Sequence, residues 1–430
     1  MTKAFRPTFS SLLHRYYANV RALRELHDKL TPHVSRLSRP SHRFTVNLGL
    51  DDEGLRAFAA ALEPVSVVEG VERERATPDV LTRVGDDLRA VFAENEAGLN
   101  AFVDVLDRSI AAPAHAEILR ASLLAMVVAA FEALIAGVAS QRYLLHPGAL
   151  SATEPEFSLA DLEGLATLDD ARELLISKRI DILMRGGLDD WSRWFEKHAD
   201  VDFAGASLDY VFVYEAFQRR NVVMHNGGLV SRLYKARLQA RDQESPEPGS
   251  DLAVDAEYLE KAFTELTVLG LSVGVRAWLK WRPSDSLHVE QNLDDYVSAE
   301  GDEDRWESVR ALANLGQAIA SSEYRKNRFL LDELLARKLL DGIHTIADDL
   351  ATWDTSALHD VFQLGAAALG DDLDSVFAIL PVLIERKEVD EEMLREWSAL
   401  DEARQDPRWE ALPALPSASA AQDGDAAMPS

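Results

Sequence analysis

Almost every apolar run in this chain repeats at intervals of three and four residues, and alternation of apolar with polar residues is scarce. That interval stacks side chains on one face of a 3.6-residue turn, whereas a half-buried strand needs a period of two. Only HRFTVNLGL, residues 42–50, alternates well enough for a strand. The expected class is therefore all-α, with at most one short β element near 42–50. At 430 residues and 47% apolar composition, two or three separate cores can form.

Proline, glycine and charge divide the chain. Residues 8–30 and 78–110 read as amphipathic helices around an irregular middle containing Pro40, Pro64 and Pro78, which sets a leading region at 1–115. An apolar helix at 119–145 stops at His146-Pro147-Gly148, because proline forbids continuation and glycine permits the turn. Helices follow at 158–165 with Ser158 as its cap, 168–187, 188–198 and 207–226, the last with Ser207 as N-cap and Gly227-Gly228 as stop. After a polar, proline-rich loop at 242–251, a long helix at 252–281 closes a domain spanning 116–285. Residues 286–304 are acidic and weakly patterned, as in a linker. Short punctuated helices occupy 305–410 in the manner of stacked hairpins, and the tail 411–430 is too apolar-poor to order. Trp191, Trp194, Trp278 and Trp281 sit at helical spacing and read as core.

The net charge of −28 disfavours indiscriminate binding to polyanions. It is unevenly spread. Residues 1–45 carry nine Lys/Arg against Glu25 and Asp28, a net of +7, and 219–241 carry six with no acid, a net of +6, leaving the remainder at −41. An anionic partner would meet the chain at these two segments. In the first, Tyr16, Tyr17 and Phe44 interleave with the charges, as in a nucleic-acid grip, although docking on the acidic remainder accounts for them equally well. No cysteine is present, so disulfides, thiolate nucleophiles and thiolate metal sites are excluded and a reducing, cytoplasmic setting fits. The run 121–140 is long enough to span a bilayer, yet it carries Glu132 near its middle, at roughly 2.5–3.5 kcal/mol on insertion scales. It reads as a buried core helix, with no membrane partner.

The acid-free stretch RRNVVMHNGG, 219–228, is the chemically informative one. On a helix Asn221 and His225 share a face, whereas Arg220 and His225 diverge by about 140°. Convergence of that pair is easier across a two-fold axis between two copies. A guanidinium that holds phosphate beside an imidazole that moves a proton suits phosphodiester chemistry. No HExxH, phosphate-binding glycine loop, GxGxxG or GxSxG occurs, and the histidines show no metal pattern, so no metal and no cofactor is expected.

Arg, four to six intervening residues of which the first is polar, then His is the motif of HEPN domains, and RNVVMH at 220–225 resembles it. The surroundings are similar too: an apolar helix containing Phe131-Glu132, the Arg/His helix, a basic segment with Tyr234, and one more long helix, over about 116–285. The resemblance implies an up-and-down helical bundle that forms a homodimer and, as in many members, metal-independent RNA cleavage that leaves a 2′,3′-cyclic end. By that likeness Arg220 binds the phosphate, His225 is the acid or base, and Asn221 orients one or the other. Arg219 also fits the spacing. The region after 305 looks like a tetratricopeptide-type extension. The implied role is a toxin or anti-phage effector with RNA as partner and a protein partner or antitoxin as restraint.

Plainer readings stand beside these. Arg220 can pair with a carboxylate such as Glu215, and Glu132 is either a supporting member of the site or a buried acid satisfied by an arginine. Arg232, Tyr234, Lys235 and Arg237, with Arg219, form either an RNA-facing ridge or a solvated helix face. A catalytically inactive HEPN-like scaffold that binds a protein is the alternative function.

Overall fold

A computed structural model of the chain describes residues 7–35, 48–62, 78–111, 114–150, 161 and 165–413. Among them no strand occurs; a single antiparallel bridge joins Leu229 and Asp251. The all-α expectation holds. Most of the expected β element at 42–50 lies outside the described residues, as do the helix at 158–165 apart from Asp161 and Leu165 and all of the tail from 414.

The helices are α1 (Phe9–Val34), α2 (Asp52–Leu62), α3 (Pro78–Val91), α4 (Glu96–Ala111), α5 (His115–Leu145), α6 (Leu168–Met184), α7 (Leu188–Ala199), α8 (Phe203–Ala206), α9 (Tyr210–His225), α10 (Arg232–Gln239), α11 (Ala256–Trp281) and α12 (Ser286–Gly301). They continue as α13 (Trp306–Ile319), α14 (Glu323–Asp341), α15 (Ala347–Thr352), α16 (Asp360–Leu369), α17 (Leu373–Glu385), α18 (Glu391–Glu396) and α19 (Asp401–Gln405). The chain divides into two compact units, residues 1–25 with 123–430, and residues 26–122. In the smaller unit, Phe58 meets Phe92 and Phe102 edge-on, with centroids 5.8 and 5.0 Å away, and Asn95 donates to the Leu48 and Gly49 carbonyls.

The larger unit is built around α11. Its residues 262–275 are all buried, so it is apolar around most of its circumference, which only a central helix tolerates. Gly270 and Gly274 open a furrow there: a Cβ at either would collide with the Tyr16 ring or with Leu13 of α1. Tyr16 lies in this furrow and donates its hydroxyl to the Leu266 carbonyl at 2.5 Å. Tyr17 donates to Glu300 at 2.8 Å, Arg21 pairs with Glu303 at 2.7 Å, and buried Arg24 pairs with Glu260 at 3.0 Å. Arg21 and Arg24 of the first basic segment thus dock on acids of the same chain, and buried Tyr16 and Tyr17 offer no stacking surface. Phe44 lies outside the described residues.

The expected linker at 286–304 is instead mostly helix. Val289, Leu293, Tyr296 and Val297 of α12 are buried, and Glu290, which no solvent reaches, accepts bonds from the Ser321 amide at 2.8 Å and hydroxyl at 3.1 Å. Acids on the inner face broke the apolar pattern, while hydrogen bonds inside the protein satisfy them. Beyond it, α13 packs along α14 and α16 along α17, over a core that includes Leu334, Phe362, Leu369, Leu380 and Leu400. Trp191, Trp278 and Trp281 are buried, and Trp194 packs on Phe195 and Trp281. Two described helices, α5 and α11, are long and apolar enough to cross a membrane, and the apolar stretch of α11 is almost wholly covered by the protein itself.

Candidate functional site

Helix α9 carries the Arg/His motif. Asp209, not Ser207, caps it, accepting from the Phe212 amide at 3.0 Å, while the Ser207 hydroxyl turns back to the Phe203 carbonyl at 2.9 Å and closes α8. Ser and Asp are both strong caps, so sequence alone favoured the wrong one of two neighbours. At the other end Gly227 and Gly228 take φ of +61° and +84°, a left-handed exit that glycine makes without strain. His225 is the last helical residue and is exposed.

One face of α9 is occupied by a polar hub. Glu215 accepts from Arg219 Nε at 2.8 Å, from the Tyr234 hydroxyl at 2.5 Å and from the Tyr258 hydroxyl at 2.5 Å. Arg219 also donates to the Ala253 carbonyl at 2.6 Å and lies 3.8 Å over the Tyr258 ring. Burial, and then the Glu215 charge, pushes the Tyr234 phenol upward, so it stays a donor. Arg219 and the Tyr234 hydroxyl are therefore committed to Glu215, while Tyr234 also lines the groove that holds His225. Tyr234 and Leu238, four apart, bury the inner face of α10 against Val222, Val230 and Leu252. Lys235 pairs with Glu247 at 2.6 Å, a contact absent from the expected ridge. Arg232 is exposed and has no partner among the described residues.

Arg220 points the other way. Its Nη2 donates to Glu132 of α5, which makes Glu132 the partner of the motif arginine across 88 positions of sequence. Its Nε is buried with no acceptor among the described residues. Arg220 does not line the groove that holds His225.

That groove, of about 350 Å³, collects Asn221, His225, Gln218, Asn226, Ser231 and Arg237. Arg237 donates to Gln218 Oε1 at 2.8 Å, which holds its guanidinium at the groove wall. The side chains of Asn221 and His225 line the groove and have no hydrogen bond to any described residue. Asn221 and His225 share one face as their spacing predicts, and the cation beside them is Arg237, expected as a binding residue, rather than Arg220, with Gln218 as an addition. The signal for Gln218 was present, since 218, 221 and 225 follow the helical spacing of three and seven. Guanidinium, amide and imidazole in one open groove can bind an oxyanion and move a proton beside it.

The chain matches no protein-family model, no curated protein and no solved structure.

Proposed function

We propose that the chain is an HEPN-like endoribonuclease that cuts RNA without a metal and acts as a toxin or phage-defence effector. The observation that carries this reading is the open groove in which His225 and Asn221, both uncommitted, stand with Arg237. Arg237 and the Asn221 amide hold the non-bridging oxygens of a phosphodiester. His225 takes the proton of the 2′-hydroxyl as that oxygen attacks phosphorus, and the bond to the 5′-oxygen breaks. The departing 5′-oxygen then needs a proton, and one imidazole cannot give and take in a single concerted step. A second copy supplies the second His225, which makes a homodimer part of the reaction. Exposed Met224, Leu229 and Leu233 beside the groove are the apolar contacts such a pairing would cover. Arg220, held by Glu132, anchors α9 to α5.

The test uses purified full-length chain and a labelled RNA, with products examined for 2′,3′-cyclic phosphate and 5′-hydroxyl ends. Loss of a general acid or base is expected to slow cleavage by about 10²–10⁴-fold in His225→Ala. Arg237→Ala is expected to raise KM as well as lower the rate. Cleavage that survives both changes would show that another site or a contaminant does the cutting. The second reading, an inactive dimeric scaffold for a protein partner, is favoured by a specific fact: Arg219, Arg220, Tyr234 and Lys235 are all engaged by carboxylates of the same chain. Intact self-association with no cleavage, with or without induced growth arrest, would favour it.

A further inference from the structure

A second cavity, of about 470 Å³, opens between α12, α14, α16 and α18, away from the motif helix in sequence and built from different chemistry. Its lining includes Trp306, Tyr324, Phe362 and Trp397, with Tyr324 edge-on to Phe362 at 5.4 Å. Four carboxylates line it, Asp302, Asp332, Glu388 and Glu396, against a single guanidinium, Arg328. Arg328 is already engaged: Nη1 donates to Asp332 Oδ1 at 2.5 Å, and Nε lies 3.6 Å from Asp294. His359 accepts from the Val361 amide through Nδ1 at 3.3 Å and turns Nε2 toward Glu388 at 3.6 Å, while Glu396 accepts from Arg395 at 2.8 Å.

The decisive atom is Asp332 Oδ2. Asp332 is 8% exposed and lines the cavity, yet Oδ2 is buried with no hydrogen-bond partner among the described residues. A buried carboxylate oxygen without a donor is expensive, so a positive charge brought into the cavity beside Asp332 is favoured there. Burial pushes the Asp332 carboxyl up despite the neighbouring Arg328, and burial, then Glu396, pushes the Asp302 carboxyl up. A cation in the cavity would relieve both. Aromatic faces attract the same kind of group through their quadrupoles, and the volume lies in the range of small-molecule sites. Phosphorylated and carboxylated ligands are repelled by the same acids.

We propose that this cavity binds a small organic cation, an ammonium or guanidinium group on an aliphatic stem, with the charge at Asp332 and the stem between the aromatic rings. Calorimetric titration of the full-length chain with putrescine and with agmatine tests it, with 1,4-butanediol and succinate as uncharged and anionic controls. One saturable site per chain is expected for at least one of the two cations and for neither control. Asp332→Asn should weaken it about tenfold and Trp397→Leu severalfold. Because Asp332 also holds Arg328, the exposed pair Asp302→Asn with Glu396→Gln serves as a second variant that leaves the core alone, and it too should weaken binding severalfold. The proposal fails if neither cation saturates in the millimolar range, if the folded variants bind as tightly as the parent, or if succinate binds more tightly than either cation.

Discussion

Glu215 accepts three donors, Arg219, Tyr234 and Tyr258, and so ties α9, α10 and α11 together. Removing it leaves two phenols without their acceptor and the Arg219 guanidinium with the Ala253 carbonyl alone, so Glu215→Ala is expected to destabilise the fold by about 2–3 kcal/mol in urea unfolding, and Glu215→Gln by less. The Arg220–Glu132 pair is more open to water and should contribute less. A double-mutant cycle of Arg220→Gln with Glu132→Gln is expected to give a coupling of about 0.5–1 kcal/mol; no coupling would mean the pair adds nothing to the fold. His198 lies edge-on to Trp194 at 4.8 Å. Burial, then Arg142 and Lys197, holds its imidazole below the ordinary range. The unfolded chain therefore takes up that proton at a higher pH than the folded one, and stability falls as pH drops through roughly 6.5, the unfolded value. Thermal melts of His198→Gln should show a shallower loss between neutral and mildly acid pH than the parent. At this scale the spacing of Asn221 and His225 was legible, because a helix fixes it. The pairing of Glu132 with Arg220 was not legible, since a contact across 88 positions leaves no local trace.

At the scale of elements, the helical period located the long helices to within a few residues, α5 at 115–145 against an expected 119–145 and α11 at 256–281 against 252–281. Where the reading failed, polar groups inside the protein were the cause: Glu290 and Glu300 hid α12 within an acidic background. Gly270 and Gly274 sit inside α11 although glycine within a helix ordinarily weakens it by about 1 kcal/mol relative to alanine. Here the gap they leave is filled by Leu13 and Tyr16. Gly270→Ala is accordingly expected to lower the melting temperature despite its better helix propensity, with an overpacking cost of about 1–3 kcal/mol. Restoring space with Tyr16→Phe would not rescue it, because the ring and not only the hydroxyl occupies the furrow; Tyr16→Ala in the same background should recover part of the loss.

For the whole molecule, the consequential fact is that the larger unit is discontinuous, joining residues 1–25 to 123–430. A boundary expected near 115 from composition does not reveal this, since the charge of the first segment fits a nucleic-acid grip and docking on the acidic remainder equally well. Its Arg21 and Arg24 are matched by Glu260, Glu300 and Glu303, which lie far along the chain. Phe9, Leu13, Tyr16, Tyr17, Val20 and Leu23 are all buried in that unit. At roughly 1.5–3 kcal/mol for each buried side chain, the six together contribute about 9–18 kcal/mol, as large as the whole stability of a typical domain. A chain beginning at residue 26 should therefore lose the cooperative transition of the larger unit in calorimetry. It should also expose the α11 furrow and bind a hydrophobic dye, and adding a peptide of residues 1–25 in trans should restore part of the transition. If the shortened chain instead melts like the parent, α1 is a covering arm and not part of the core, and the fit of Tyr16 against Gly270 contributes little to folding.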